Sequence, residues 1–131
     1  MKNILLIDDD FNHLAVLAVA LADAGYQVIP KIDAESAIAA LGEDIRIDLI
    51  VIDYELPGLD TLSFMTMLKQ LMPKVPVIVL AVQGNIDIYL KVMSLGAFEY
   101  INKPVRVKEL RRIADAALLD SGQDGLLQTC R

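Results

Sequence analysis

Short apolar runs divide this chain, and each is followed by a segment with helical periodicity. The runs are "NILLID" (Asn3–Asp8), "QVIPK" (Gln27–Lys31), "IDLIVID" (Ile47–Asp53), "VPVIVLAV" (Val75–Val82) and "FEYIN" (Phe98–Asn102). Near-continuous apolar strands are the mark of a sheet buried on both faces. The intervening segments predict helices over Phe11–Tyr26, Ala34–Leu41, Thr61–Met72, Ile86–Ala97 and Val105–Asp120. Asp10 and Asp33 stand where caps belong, and Gly25 and Gly42 stand where the first two helices stop. Strand alternating with helix, joined by short connections, gives an α/β fold: a five-stranded parallel sheet with helices on both faces. Right-handed crossovers leave few topologies, but these residues alone leave the strand order open.

Composition bounds the function. At 131 residues, 55% hydrophobic and 23% charged, the chain suits one packed domain and excludes a disordered tail. Its longest apolar stretches, Leu14–Ala22 and Val75–Val82, fall short of the roughly 18–20 residues that span a bilayer. "MKNILLIDDD" sets carboxylates directly after a very short apolar run, unlike a secretory leader. The single cysteine, Cys130, permits no internal disulfide, so a reducing cytoplasm is the expected home. A net charge of −6 argues against nucleic-acid binding and suits a cation or a basic partner surface.

The carboxylates fall in a telling place. The first strand ends in Asp8, Asp9 and Asp10, the third in Asp53, and the fifth near Lys103 and Pro104. In a parallel sheet all C-terminal strand ends share one rim. Like charges gathered there are costly unless a cation lies between them. A hard divalent ion such as Mg²⁺ takes oxygen ligands of this kind. An Asp on such a rim, beside a Lys, suits nucleophilic attack on phosphorus. Asp10 and Asp33 read more simply as helix caps.

These residues resemble the receiver domain of two-component response regulators, over Lys2 to about Leu119. "ILLIDDD" is similar to the family's first strand and acidic pair. "DLIVIDYELPGLD" is similar to its phospho-acceptor strand and loop, and "LGAFEYINKPV" to its aromatic switch and Lys-Pro pair. The resemblance implies a flavodoxin-like strand order 2-1-3-4-5; the general rule for such sheets is illustrated by a member of this family. It implies Asp53 as phospho-acceptor, Asp9 as direct Mg²⁺ ligand, Asp8 as its acidic neighbour and the backbone carbonyl of Glu55 as a third ligand. It implies that Lys103 contacts the phosphoryl group, that Tyr100 is the switch aromatic, and that the bond before Pro104 is cis. A receiver catalyses only its own phosphorylation and dephosphorylation, so no other enzymatic activity is expected. The implied partners are a histidine kinase or phosphotransfer protein, and a second copy through helix four, strand five and helix five.

The sequence departs from the family at three places. Ala81 stands where Thr or Ser is usual, Val82 where a small residue is usual, and Thr61 where Gly is common. The loss of the hydroxyl at Ala81 predicts weakened coupling from Asp53 to Tyr100, with Gln83 a candidate substitute donor. Val82 is expected to narrow access to Asp53. On helix one, Leu14, Leu17, Ala18 and Leu21 form the expected core stripe. Asn12, Val16, Val19, Ala20 and Asp23 form the outer face, where the valines suit partner docking. His13 reads as a solvent-facing helical residue, and Lys108, Arg111 and Arg112 as a solvated face. Residues 1–120 are expected to be the receiver and 121–131 a flexible tail or linker. Two other readings compete. One is a pseudo-receiver that binds partners without phosphorylation. The other, a haloacid-dehalogenase-type hydrolase, is opposed by Glu55 where that motif needs a second Asp.

Overall fold

The computed structural model describes residues 1–82 and 85–122. Its elements are β1 (Asn3–Ile7), α1 (Phe11–Asp23), β2 (Gln27–Lys31), α2 (Ala34–Leu41), β3 (Leu49–Asp53), α3 (Thr61–Leu71), β4 (Val77–Val82), α4 (Ile86–Ser94), β5 (Glu99–Lys103) and α5 (Val107–Gly122). The strands are all parallel and lie in the order β2-β1-β3-β4-β5. This is the doubly wound sheet the alternation predicted, in the order the resemblance implied.

Strand alternation sorts the core into two layers. Ile4, Leu6, Leu49, Val51, Ile78, Leu80 and Ile101 pack on α1 and α5. Leu5, Ile7, Ile50, Ile52, Val77 and Val79 pack on α2, α3 and α4. β1, β3 and the first five residues of β4 are almost wholly enclosed, as their unbroken apolar runs require.

The element ends carry the corrections. β3 begins at Leu49; just before it the Asp48 N–H donates to the Asn3 carbonyl at 2.9 Å, while its carboxylate accepts the Asn3 N–H at 2.8 Å and the Arg46 Nε at 2.9 Å. β4 begins after Pro76, which has no N–H for a ladder. β1 stops at Ile7, one residue short of Asp8, and β5 is shifted one residue so that it ends on Lys103. α1 stops at Asp23, ahead of a left-handed Gly25 at φ 99°. α4 stops at Ser94 for the same reason, with Gly96 at φ 96°. α5 starts two residues later than expected and runs on through Gly122. The expected tail from Gln123 onward, with Cys130, lies outside the described residues, and so does Gln83.

Asp10 and Asp33 are the caps they were expected to be. Asp10 accepts the Asn12 and His13 N–H groups, and Asp33 that of Ser36. The inner stripe of α1 is corrected at one position: Ala20 is buried and Ala18 only partly so. Val16 and Val19 are exposed, at 56% and 61%.

Candidate functional site

The carboxyl ends of β1, β3 and β5 lie on one rim; the order β2-β1-β3-β4-β5 makes β1 and β3 neighbours and sets β5 one strand beyond β3, across β4. Asp53 is the last residue of β3 and Lys103 the last of β5. Asp8 and Asp9 follow β1. Asp8 and Asp53 are buried, at 0% and 2% exposure, whereas Asp9 is open to solvent. One carboxylate oxygen from each of Asp8, Asp9 and Asp53 lies within 4.8 Å of the others. Three hard oxygen donors that close fit an ion such as Mg²⁺, which prefers one or two carboxylates and retains waters.

Each buried carboxylate is fixed by protein donors. Asp53 Oδ1 accepts the Glu55 N–H at 3.0 Å, and Lys103 Nζ donates to Oδ2 at 2.6 Å. Asp8 Oδ1 accepts the Asp10 N–H at 3.0 Å, and Oδ2 pairs with His13 Nδ1. The carboxylate oxygens retain lone pairs for a metal beyond these bonds. Burial pushes the Asp8 carboxyl above its usual range. The Asp10 N–H and His13 pull the other way, and the Asp53 charge adds to the rise. Burial alone would lower the Lys103 ammonium, but the hydrogen bond and charge of Asp53, helped by Glu55 and Asp8, raise it overall. The lysine stays protonated beside its carboxylates.

His13 is a correction. It does not face solvent but turns inward from the first turn of α1 onto Asp8, with 26% of its side chain exposed. The signal was present in the sequence: a capping Asp10 starts the helix so soon after β1 that residue 13 returns over the strand end.

The lip beyond β4 explains the sequence departures. Ala81 is wholly buried. By alternation it belongs with Val77 and Val79 on the layer that includes Tyr100, while Asp8, Asp53 and Lys103 continue the opposite layer. The Tyr100 hydroxyl donates to the Val82 carbonyl at 3.4 Å, and its ring meets Tyr89 edge-on with centroids 5.5 Å apart. Burial raises the Tyr100 phenol, and the charge of Glu55 and the neighbouring Tyr54 add to this. Thr61 is buried, and its hydroxyl donates to the Tyr54 carbonyl at 2.8 Å, closing the loop after β3 against α3. The peptide bond Lys103–Pro104 is cis.

Glu55 was assigned only a backbone role by resemblance, but its side chain is also engaged. Oε1 lies 3.4 Å from Lys103 Nζ, and Oε2 accepts the Val82 N–H at 3.5 Å. No motif marks this contact, which joins residues 27 apart.

The family model for the response regulator receiver domain matches residues 4–115. The chain belongs to this family. It is 33% identical over 123 residues to the phosphate regulon transcriptional regulatory protein PhoB of Pseudomonas aeruginosa, covering 92% of this chain and 53% of that protein. It is 35% identical over 107 residues to the transcriptional regulatory protein PrrA of Mycobacterium tuberculosis, covering 82% and 46% of the two chains. Against the transcriptional regulatory protein ZraR of Salmonella typhimurium it spans 28% of the relative's length. The receiver thus spans about half or less of the curated relatives it matches. Among solved structures, a receiver domain protein from Clostridium thermocellum superposes with a TM-score of 0.86 at 27% identity, covering 97% of this chain and 99% of that one. NtrX from Brucella abortus gives a TM-score of 0.88 at 30% identity, covering all of this chain and 30% of its own. Receivers are signalling modules of two-component systems. Among the described residues, no helix is long and apolar enough to cross a membrane.

Proposed function

We propose that this receiver takes a phosphoryl group onto Asp53 from a histidine kinase or phosphotransfer protein in the cytoplasm. The observation that carries the reading is the setting of Asp53. Its carboxylate is 2% exposed, paired with Lys103 at 2.6 Å and clustered with Asp8 and Asp9. An Asp53 oxygen attacks phosphorus; the new O–P bond forms as the donor's bond to phosphorus breaks, and that electron pair leaves with the donor. Lys103 holds Asp53 in place and neutralises charge on the transferring oxygens. Asp8, Asp9 and Asp53, with the backbone carbonyl of Glu55, would hold Mg²⁺, whose charge would offset that of the phosphoryl group. His13 and the Asp10 N–H keep Asp8 oriented. Val82 lines the approach to Asp53 and slows both phosphate entry and attack by water.

The test is incubation with Mg²⁺ and acetyl phosphate. A phosphoryl mass increment on the parent, absent from Asp53→Asn, supports the reading. No increment on the folded parent overturns it.

Ala81 favours a second reading. A buried methyl offers a phosphoryl group no hydrogen bond. The loss of one bond to a charged group is worth about 1.5–3 kcal/mol, roughly a 10- to 150-fold weaker shift of the switch. A pseudo-receiver that binds partners without phosphorylation would leave beryllofluoride unbound with Asp53 intact.

The kinase-facing surface of this proposal is the outer face of α1, where Val16 and Val19 stand exposed. Replacing both valines with Lys should slow transfer from the kinase and leave acetyl phosphate labelling unchanged. Equal losses in both would point to damaged folding. For a second copy, the proposed surface is α4, β5 and α5. There a groove of about 350 Å³ is lined by Asn85, Ile86, Tyr89, Tyr100 and Asn102.

A further inference from the structure

We propose that the Glu55 carboxylate is a built-in occupant of the anion seat beside Asp53, and that loading Asp53 requires it to leave. This rests on the reading of Asp53 as phospho-acceptor and adds the step that gates it.

The argument starts from the sheet ladder. β4 receives bonds from β3 at alternate residues: the Ile50 N–H donates to Pro76 and the Tyr54 N–H to Leu80. In a parallel ladder the next bond would run from the Val82 N–H to the Tyr54 carbonyl. That carbonyl instead accepts the Thr61 hydroxyl at 2.8 Å, because the chain has turned away into α3. The Val82 N–H is therefore released from the ladder at the rim. A strand-end N–H beside a protonated lysine is a two-point donor set for an anion. Lys103 reaches over the rim to Asp53 at the end of β3, the side to which the Val82 N–H points, and one carboxylate comes within 3.5 Å of both donors.

Glu55 fills both points. Oε1 lies 3.4 Å from Lys103 Nζ and Oε2 lies 3.5 Å from the Val82 nitrogen. Charge-assisted bonds are usually nearer 2.7–2.9 Å, so these contacts are long. The side chain is 38% exposed and spans the donors without being clamped. Two oxygens on one carbon reproduce the spacing of two oxygens on phosphorus. A phosphoryl group arriving at Asp53 needs the same lysine and the same N–H, and it carries like charge. Glu55 must swing into solvent before it can settle. Ala81 makes this matter more, since no hydroxyl at that lip offers a third donor out of Glu55's reach.

The test uses the full chain and inorganic phosphate with Mg²⁺, read at the Val82 amide by ¹H–¹⁵N NMR. The variants are Glu55→Ala, Glu55→Gln and Asp44→Asn, the last removing one charge from an exposed position away from the seat. An exposed ion pair is worth about a factor of two to five, and Glu55 makes one, to Lys103, beside a long contact to a neutral N–H. Glu55→Ala should therefore bind phosphate about two- to five-fold tighter than the parent. Glu55→Gln should move less in the same direction, and Asp44→Asn should match the parent. Equal phosphate affinity in the parent and Glu55→Ala, both folded and equal in Mg²⁺ affinity, overturns the proposal. So does a rise of equal size in Asp44→Asn. Acetyl phosphate labelling of the same samples is a separate readout. Tighter phosphate binding without labelling keeps the seat and ends the acceptor reading. Labelling with unchanged phosphate affinity ends the seat.

Discussion

Replacing Ala81 with Thr adds a methyl and a hydroxyl at the end of β4, at a position with no exposed surface. Two magnitudes oppose each other, but they act on different states. Added atoms in an enclosed site cost about 1–3 kcal/mol through displaced neighbours. That cost falls on the free and loaded forms alike. A hydrogen bond from the new hydroxyl to a phosphoryl oxygen is worth about 1.5–3 kcal/mol, and only the loaded form has it. The useful observable is therefore a difference of differences. Parent and variant are melted without additions and again with Mg²⁺ and beryllofluoride. For a chain of this size, 1 kcal/mol shifts the melting temperature by about 3–5 °C. The free variant should melt below the parent, and its ligand-induced rise should exceed the parent's by about 5–15 °C. Tyr100 supplies a second readout, because it shares the Ala81 layer and its hydroxyl holds the Val82 carbonyl at 3.4 Å. Its ring resonances should move more on loading in the variant. Equal ligand-induced rises in the two proteins would refute the argument, since the hydroxyl would then cost packing without meeting the phosphoryl group.

Other outcomes follow from the rim. His13→Ala leaves Asp8 Oδ2 without its partner and should lower stability by about 1–3 kcal/mol in urea denaturation without Mg²⁺; an unchanged midpoint would mean that the Asp10 N–H suffices. Asp53→Asn removes a buried charge from a crowded set, while Lys103 keeps Glu55 and its access to solvent. The metal-free variant should be more stable than the parent by about 1–2 kcal/mol, and saturating Mg²⁺ should narrow that gap. Burial, together with the Asp115 carboxylate it bonds, pushes the Tyr26 phenol up to about 12. Because the folded value is raised, its contribution to stability is intact below about pH 10 and is lost as pH climbs through 12. Ultraviolet titration of the folded protein should show a last tyrosine step there, absent from Tyr26→Phe.

The parts legible in the sequence are those set by local rules. Unbroken apolar runs marked the strands, and capped amphipathic stretches marked the helices. Asp53 was placed at a strand end because the unbroken apolar run Leu49–Ile52 stops there and a Pro-Gly loop follows. The element ends were less legible, since they depend on partners distant in the chain. Ile47 and Asp48 look like strand, but the regular pairing with β1 starts at Leu49, and Asp48 meets Asn3, 45 residues away, through its carboxylate as well as its backbone. The inward turn of His13 needed the exact start of α1. The Glu55 contacts needed the register of β4 against β3 and the diversion of the Tyr54 carbonyl to Thr61. Neither is a property of any short window. Tyr26 and Asp115 stand 89 residues apart and meet only because α1 and α5 share one layer.

Charge balance ties the rim together. Asp8, Asp9, Asp53 and Glu55 bring four carboxylates, and the side-chain cation that the described residues set against Asp53 and Glu55 is Lys103. Two of the carboxylates are enclosed and cannot be relieved by water. A divalent ion would correct this excess, so the fold is paid for its unfavourable charges only when one binds. A phosphoryl group then restores the excess at once, with the same lysine asked to serve one more anion. Asp8 and Asp53 are enclosed, and Asp9, though open to solvent, belongs with them to the three-carboxylate cluster that would hold the ion. The Glu55 side chain lies outside that cluster, on a loop, partly exposed and bound by long contacts. When the rim becomes too negative it is the one that can leave, and its departure frees the Val82 N–H. In this chain the report of phosphorylation would then begin with the release of Glu55, at the lip where a hydroxyl is missing.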